Sequence, residues 1–332
     1  MPSSASTEPA LLAEVRRGGI VEGRIRGHTV LVDGGGQPLR WLGDPETVST
    51  LRSASKPFQA SSFVETGTAS DLGLGEESIA IACSSHLGEP RHIEAARRIL
   101  EAARLDESVL QCGVELPGDP AAAAQLLRSG ESPTPIYNNC SGKHSAMLAT
   151  CVHQGWPIES YLGRDHPLQI QIADRLARYA GLRAEAMPFG IDGCGLPTFG
   201  LSLRSFAAAL ARAAGSDPAF RSCQVAMAHH PWLIRGTNSF DSALLGVAGD
   251  RLTAKGGAAG IFGAVARDGS WALVIKLESG ASAGLPQIAT RALLELGLLD
   301  APLPESLAEL VEAPVANWAG TPVGEIQALF QL

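Results

Sequence analysis

Aromatic residues make up only 5% of this 332-residue chain, which has 3 tyrosines and 4 methionines. With a mean hydropathy of +0.10, that scarcity points to a soluble protein rich in alanine, leucine and glycine. No basic patch stands out. A formal charge of -8 and a pI near 5.5 argue against a nucleic-acid or anionic-membrane partner. No charge-free apolar run approaches the roughly 20 residues of a membrane span. The opening "MPSSASTEPALLAEVRRGG" lacks the basic and apolar regions of a secretory signal, so the chain is read as cytoplasmic. The 6 cysteines are scattered and include no paired C-x-x-C, which excludes a disulfide framework as the expectation and suits thiols in a reducing compartment. Linkers, repeats and low-complexity tracts are absent too.

What is present is a strand–helix–strand order. Residues 1–12 are polar and read as a loose lead-in, with a single domain over 13–332. Short alternating segments around Val21–Arg26, Thr29–Val32 and Leu39–Leu42 read as an antiparallel meander, broken at Gly27-His28 and at Gly34-Gly35-Gly36. The triple glycine is a hairpin turn, because no G-K-[ST] follows to make it a phosphate loop. Helical periodicity then dominates, with a helical lobe expected over roughly 90–215. In "PRHIEAARRILEAARL", Ile93, Ala96, Leu100 and Ala103 form one stripe. Further helices fit Pro120–Leu127, Lys143–Gln154, Leu168–Ala180 and Leu203–Ala214. The chain returns to two strands joined at Asp268-Gly269 and closes with a helix over Ala283–Leu296. Strands at both ends with helices between them imply an α+β fold, one antiparallel sheet packed with helices.

Five polar clusters punctuate this frame. In "RSASKPFQ", Pro57 marks a helix start, so Ser53 and Lys56 share a face at i and i+3, within reach of a hydrogen bond. A serine needs a base to become a nucleophile, and lysine can be that base only if its pKa falls from about 10.4 to near neutrality. A surface lysine beside an N-capping serine would carry the same letters. "ACSSHLGEP" places Ser84, Ser85 and His86 in a loop between the apolar run Ile79–Cys83, read as a strand, and a helix start. "NNCSGKHSAM" gathers Cys140, Lys143 and His144, and "FGIDGCGLP" adds Asp192 and Cys194 in a glycine-bracketed loop. Two cysteines with a nearby histidine resemble half a zinc site, without the spacing that would specify one. "TAKGGAAGIFG" sets Lys255 among small residues, either partly desolvated or ending a strand. Adjacent His229 and His230 read as cations at a helix C-terminus.

In this order and across most of the chain, "RSASK", "CSSH", "NNCSGKH", "PFGIDGCGLP" and "KGGAAGIFG" resemble the rhizobial-type L-asparaginase II family, the class 3 asparaginases. The resemblance implies a serine β-lactamase-like fold, a homodimer and hydrolysis of L-asparagine to aspartate and ammonia. It implies two Ser–Lys pairs, Ser53 with Lys56 and Ser85 with Lys255, Ser53 being the nucleophile; backbone N–H groups at the start of the Ser53 helix are then expected to help hold the oxyanion. It also implies zinc on Cys140, Lys143 and Cys194. Arg52 and Asp192 would contact or orient the substrate, with His144 behind them.

Two alternatives stay open. S-x-x-K at Ser53, Y-x-N at Tyr137 and K-G-G at Lys255 imitate the boxes of penicillin-recognising enzymes, although Gly256 stands where those need threonine or serine. A non-catalytic amino-acid-binding protein on the same scaffold is the other.

Overall fold

The computed structural model of the protein describes residues 7–332. Its strands are β1 (Ala10–Arg17), β2 (Ile20–Asp33), β3 (Pro38–Leu42), β4 (Val48–Thr50), β5 (Phe189–Ile191), β6 (Pro197–Ser202), β7 (Leu252–Gly257), β8 (Ile261–Ala266), β9 (Trp271–Leu277), β10 (Val315–Ala316) and β11 (Pro322–Ala328). Eight of them form one antiparallel sheet in the order β10-β11-β1-β2-β9-β8-β7, with β3 also on β2, and β4-β6-β5 form a second, small sheet. The main sheet therefore joins the two ends of the chain, as the α+β reading requires.

Period-two alternation decides what covers it. In β9, Ala272 and Val274 face one core, with Phe206 and Leu210 of the Leu203–Ser216 helix. Leu273, Ile275 and Leu277 face the other, with Ile288, Ala289 and Leu293 of the Leu285–Glu295 helix. Both faces of the sheet centre are thus dry, and full burial of a side chain such as Phe206 or Ile275 is worth about 1.5–3 kcal/mol. A third cluster, including Phe63, Ile81, Ile99 and Met227, packs the helices against one another. Between the two groups of main-sheet strands, helices occur from Lys56 to Ala248, and two more follow at Leu285–Glu295 and Glu305–Val311. The stripe Ile93, Ala96, Leu100 and Ala103 is buried, while Glu94 and Arg98 pair at 3.2 Å on the outer face.

Three local readings are corrected. β1 begins at Ala10, inside the segment read as a loose lead-in, whose residues 1–6 lie outside the described residues. Gly27-His28 does not break the meander, because β2 runs through it. A β-carbon at Gly27 would stand 2.4 Å from the Lys276 carbonyl oxygen, so the glycine serves close strand packing. Ile79–Cys83 is not a strand: it closes the Glu76–Ala82 helix, whose first-turn Glu76 and Glu77 complement the helix dipole. A short apolar run suits either state, and the acidic start favours the helix.

Candidate active site

After β4 the chain turns sharply. Arg52–Ser55 form a 3₁₀ turn leading directly into the Lys56–Glu65 helix, with Pro57 in the first turn as its sequence demands. Arg52 has φ +46°, a left-handed conformation that costs a non-glycine residue on the order of 1 kcal/mol. The small sheet holds it there. Its N–H donates to the Thr198 hydroxyl at 3.2 Å, and its guanidinium bonds Asp192 through Nε at 2.9 Å and Nη2 at 2.8 Å. Burial would raise the Asp192 pKa, but the charges of Lys143 and Arg52 hold it below the usual carboxylate value.

This turn presents Ser53 to a cleft of about 620 Å³, lined also by Ser85, Glu115, Arg235 and Asp241. β7 lies against it. A β-carbon at Gly257 would stand 3.2 Å from the Ser53 nitrogen and 3.0 Å from that of Ala54, so a glycine is what lets strand and turn meet.

The two lysines take partners that the spacing did not indicate. Lys56 is 1% exposed, and its ammonium donates to the Ser85 hydroxyl at 2.9 Å and to the Ser84 carbonyl. Among the described residues no hydrogen bond joins it to Ser53. A 3₁₀ turn leaves i and i+3 on one face, so the pairing is set instead by the Ser84–Ser85 loop, which supplies two acceptors to the ammonium. Burial, helped by the charges of Lys143 and Lys255, pushes the Lys56 pKa down to about 8. Lys255, in turn, bonds Asp241 at 3.2 Å and the Gly256 carbonyl at 2.6 Å, and no hydrogen bond among the described residues joins it to Ser85. Burial lowers the Lys255 pKa despite Asp241. The Asp241 carboxyl, which burial would raise, is held low by Lys255 and Arg235.

Ser85 is fixed by its backbone. The loop after the Glu76–Ala82 helix is held on both sides, with Ser85 N–H on the Ile234 carbonyl, Leu87 N–H on that of Arg235 and His86 N–H on that of Asn139. His86 Nδ1 accepts from the Gly88 N–H at 3.2 Å, so Nε2 carries the proton and donates to the Ser141 hydroxyl at 2.8 Å. Burial, with His92 and Lys56 nearby, keeps this imidazole neutral.

Behind the cleft, Cys140 and Lys143 at the start of the Ser141–Gln154 helix meet Cys194 from the loop between β5 and β6. All three are buried, and Lys143 Nζ lies 3.4 Å from Cys194 Sγ. A hydrogen bond from the Cys194 thiol holds the Cys140 thiol well below its usual pKa, and the same contact raises Cys194. Burial opposes the Lys143 charge, yet the two sulfurs raise its pKa. No group of three His, Cys, Asp or Glu side chains among the described residues is placed to hold a metal ion. The two sulfurs are soft donors that suit zinc, and Lys143 could add a nitrogen only after losing the proton that the sulfurs now favour.

His144 does not reach the cleft. It is fully buried, with Nδ1 2.7 Å from the Tyr161 hydroxyl, and burial keeps it neutral. Arg52 and Asp192 bond each other and are not among the cleft-lining residues, so as placed they brace the Ser53 turn.

Residues 13–328 match the family model of L-asparaginase II. The chain belongs to the L-asparaginase II family. Membership makes it a hydrolase of the L-asparaginase type acting on a small molecule. No curated protein matches it. Among solved structures it is similar to a β-lactamase from Mycobacterium bovis, at 15% identity and a TM-score of 0.41, over 81% of this chain and 94% of that one. It is also similar to Mglu in its native form, at 14% identity and a TM-score of 0.38, over 84% of this chain and 67% of that one. No helix among the described residues is long and apolar enough to cross a membrane. The 6 cysteines are all free and buried.

Within this asparaginase-family site, three cleft residues escaped the sequence reading: Glu115, Arg235 and Asp241. Asp241 is a single acid in the first turn of the Phe240–Ala248 helix, where a carboxylate complements the dipole anywhere. Only its contact with Lys255 sets it apart. Arg235 and Glu115 lie in connecting segments with no motif around them.

Proposed function

We propose that the protein hydrolyses L-asparagine to L-aspartate and ammonia through an acyl-serine intermediate. The observation that carries this reading is the buried Lys56 amine, its pKa pushed down to about 8, hydrogen-bonded to Ser85 at 2.9 Å in a cleft that Ser53 also lines. At pH 8 about half of such an amine is neutral, and a neutral amine can accept a proton.

Ser53 is the nucleophile. Its hydroxyl oxygen bonds to the side-chain amide carbon, and its proton passes through the Ser85 hydroxyl to Lys56. Backbone N–H groups of the Ser53 turn stabilise the resulting oxyanion, each such donor contributing roughly 3 kcal/mol in other enzymes. The C–N bond then breaks as Ser85 returns a proton to the departing nitrogen, releasing ammonia. Water attacks the acyl-serine with the same groups acting in reverse, giving aspartate and free Ser53. Asp241 holds the Lys255 ammonium beside the Gly256 carbonyl, and the strained Arg52, held by Asp192, sets the direction of the Ser53 turn.

The zinc site is part of the proposal. Cys140, Lys143 and Cys194 would hold the ion, which when bound supplies a positive charge and Lewis acidity for polar groups of the substrate. His144 stays behind this cluster as a neutral support on Tyr161. A homodimer and a reducing, cytoplasmic setting complete the proposal, in keeping with the free cysteines.

One observation favours a second reading: Ser85, rather than Ser53, bonds Lys56 directly, which would make Ser85 the nucleophile. Ammonia release from L-asparagine tests the activity itself, and its absence sinks the proposal. Rapid-quench mass spectrometry of the aspartyl adduct then separates the two serines, since the acylated peptide contains either residue 53 or residue 85. A covalent adduct with labelled penicillin, without asparagine turnover, would restore the penicillin-recognising alternative.

A further inference from the structure

The cleft holds two charged side chains, Arg235 and Glu115, that make no ion pair among the described residues. Among the described residues the Arg235 guanidinium makes no hydrogen bond or ion pair, although it lines the cleft beside Asp241. Asp241 is already committed: its Oδ2 accepts from Lys255 Nζ at 3.2 Å and from the Gly256 N–H at 2.9 Å. The Lys255–Asp241 pair sums to zero, which leaves Arg235 as one net positive charge. Glu115 lines the same cleft. Its Oε2 accepts from the Asn139 N–H at 2.9 Å and from Asn139 Nδ2 at 2.8 Å, both neutral donors that aim the carboxylate without cancelling its charge. Oε1 has no partner among the described residues. Nor do Glu115 and Arg235 form an ion pair with each other.

A cleft with one unpaired anion and one unpaired cation, held apart, is complementary to a ligand carrying both charges. A diacid would meet Glu115 with repulsion, and a diamine would do the same at Arg235. A peptide link at either end of the ligand removes the charge that its partner awaits. We propose that Arg235 receives the α-carboxylate and Glu115 the α-ammonium of a free amino acid, fixing its side-chain amide at Ser53. The inference is the pair of residues that receives the two charges, and it rests on the amide-hydrolase reading given above. Asn139 is then a positioning residue, since its two N–H donors set the Glu115 carboxylate. Because Asn139 precedes Cys140, the same short segment aims the ammonium receptor and supplies a sulfur to the cluster behind the cleft.

Three amides separate the two charges: L-asparagine, succinamate, which lacks the amino group, and 3-aminopropanamide, which lacks the carboxylate. Ammonia release is measured with each for the full-length wild type, Arg235→Met and Glu115→Gln. Losing a hydrogen bond to a charged group lowers kcat/KM on the order of tenfold to a hundredfold. For L-asparagine both variants show that loss. With succinamate, Arg235→Met shows it and Glu115→Gln does not; with 3-aminopropanamide the pattern reverses. Arg235→Lys recovers part of the loss with asparagine, which a merely structural role would not give. Equal losses on all three amides, or none on asparagine, overturn the proposal. Calorimetric titration with L-aspartate keeps the subsite separable from the chemistry. If the wild type releases no ammonia from any amide, the hydrolytic reading fails. The subsite then stands on L-aspartate binding to wild type that weakens at least tenfold in both variants, and it falls if wild type does not bind or the variants bind equally.

Discussion

The Lys56 amine lies 2.9 Å from the Ser85 hydroxyl, 29 positions away in sequence, while Ser53, three positions away, takes no hydrogen bond from it among the described residues. The helix start delivers the lysine, and a loop pinned between Ile234 and Asn139 delivers the serine. Neither element alone makes the pair. Both must be folded before a base meets a hydroxyl, so the chemistry depends on packing between segments and not on one helical turn.

Lys56→Met is expected to abolish ammonia release and to raise stability. The folded pKa near 8 lies below the unfolded value of 10.5. Below pH 8 both states carry the proton, and the folded state bears the full burden of a buried charge. Between those two values the unfolded chain binds more protons, so the burden shrinks as pH rises. At neutral pH it amounts to about 3 kcal/mol, which methionine removes, less the lost hydrogen bonds to Ser84 and Ser85. Chemical denaturation of wild type and variant at pH 7 reads the difference. A destabilised variant would mean that Lys56 is held by contacts that outweigh its desolvation.

The same titration sets the pH profile. The base must be neutral, so kcat/KM for asparagine should climb about tenfold per pH unit below pH 8 and level off above it. His86 and His144, kept neutral by burial, should add no limb between pH 5 and 7. A flat profile from pH 6 to 9 would remove Lys56 from the role of base.

Much of this site was legible as motifs, because residue types at fixed spacing survive without knowledge of the fold. Ser53 of RSASK and Ser85 and His86 of CSSH line one cleft, and Lys143 lies beside Cys194, a grouping that the family resemblance, not the spacing, suggests. Partner choice was not legible. Whether Lys56 bonds Ser53 or Ser85 depends on where a loop 29 positions away packs, and Asp241 acquires its meaning only when the Phe240–Ala248 helix packs against β7. The same limit governed the fold. The strand pattern at both chain ends gave the sheet, but Gly27 looked like a break because its reason, the Lys276 carbonyl on the neighbouring strand, lies far along the chain.

Asp241→Asn should be among the most damaging single changes. It strands the Lys255 charge, 2% exposed, without its carboxylate. Breaking a buried pair by removing one partner costs about 3–5 kcal/mol. Adding Lys255→Met removes the stranded charge, so the double variant should recover most of the stability and none of the turnover. Thermal unfolding of the four proteins in this double-mutant cycle measures the coupling. A double variant as unstable as Asp241→Asn would show that Asp241 acts through the Gly256 N–H instead.

The proposed zinc site makes a prediction that does not depend on turnover. Wild-type protein is expected to carry close to one zinc per chain, measured by plasma mass spectrometry after gel filtration. Cys140→Ser and Cys194→Ser each replace a sulfur by a weaker oxygen donor and should lose it, while Lys143→Met should retain it with lower affinity, because the two sulfurs remain. A metal that binds only the folded chain stabilises it by mass action, so stripping with a chelator should lower the unfolding temperature of the wild type and leave the cysteine variants unmoved. Cys151→Ser is the control. That cysteine is equally buried but lies about two turns along the Ser141–Gln154 helix from Lys143, and the zinc content of the variant should match wild type. If wild type purifies without zinc and fails to take it up, the Cys140–Lys143–Cys194 cluster is instead a buried ion pair between an ammonium and a shared thiol–thiolate, and its role is to hold the Ser141–Gln154 helix start against the Asp192 loop.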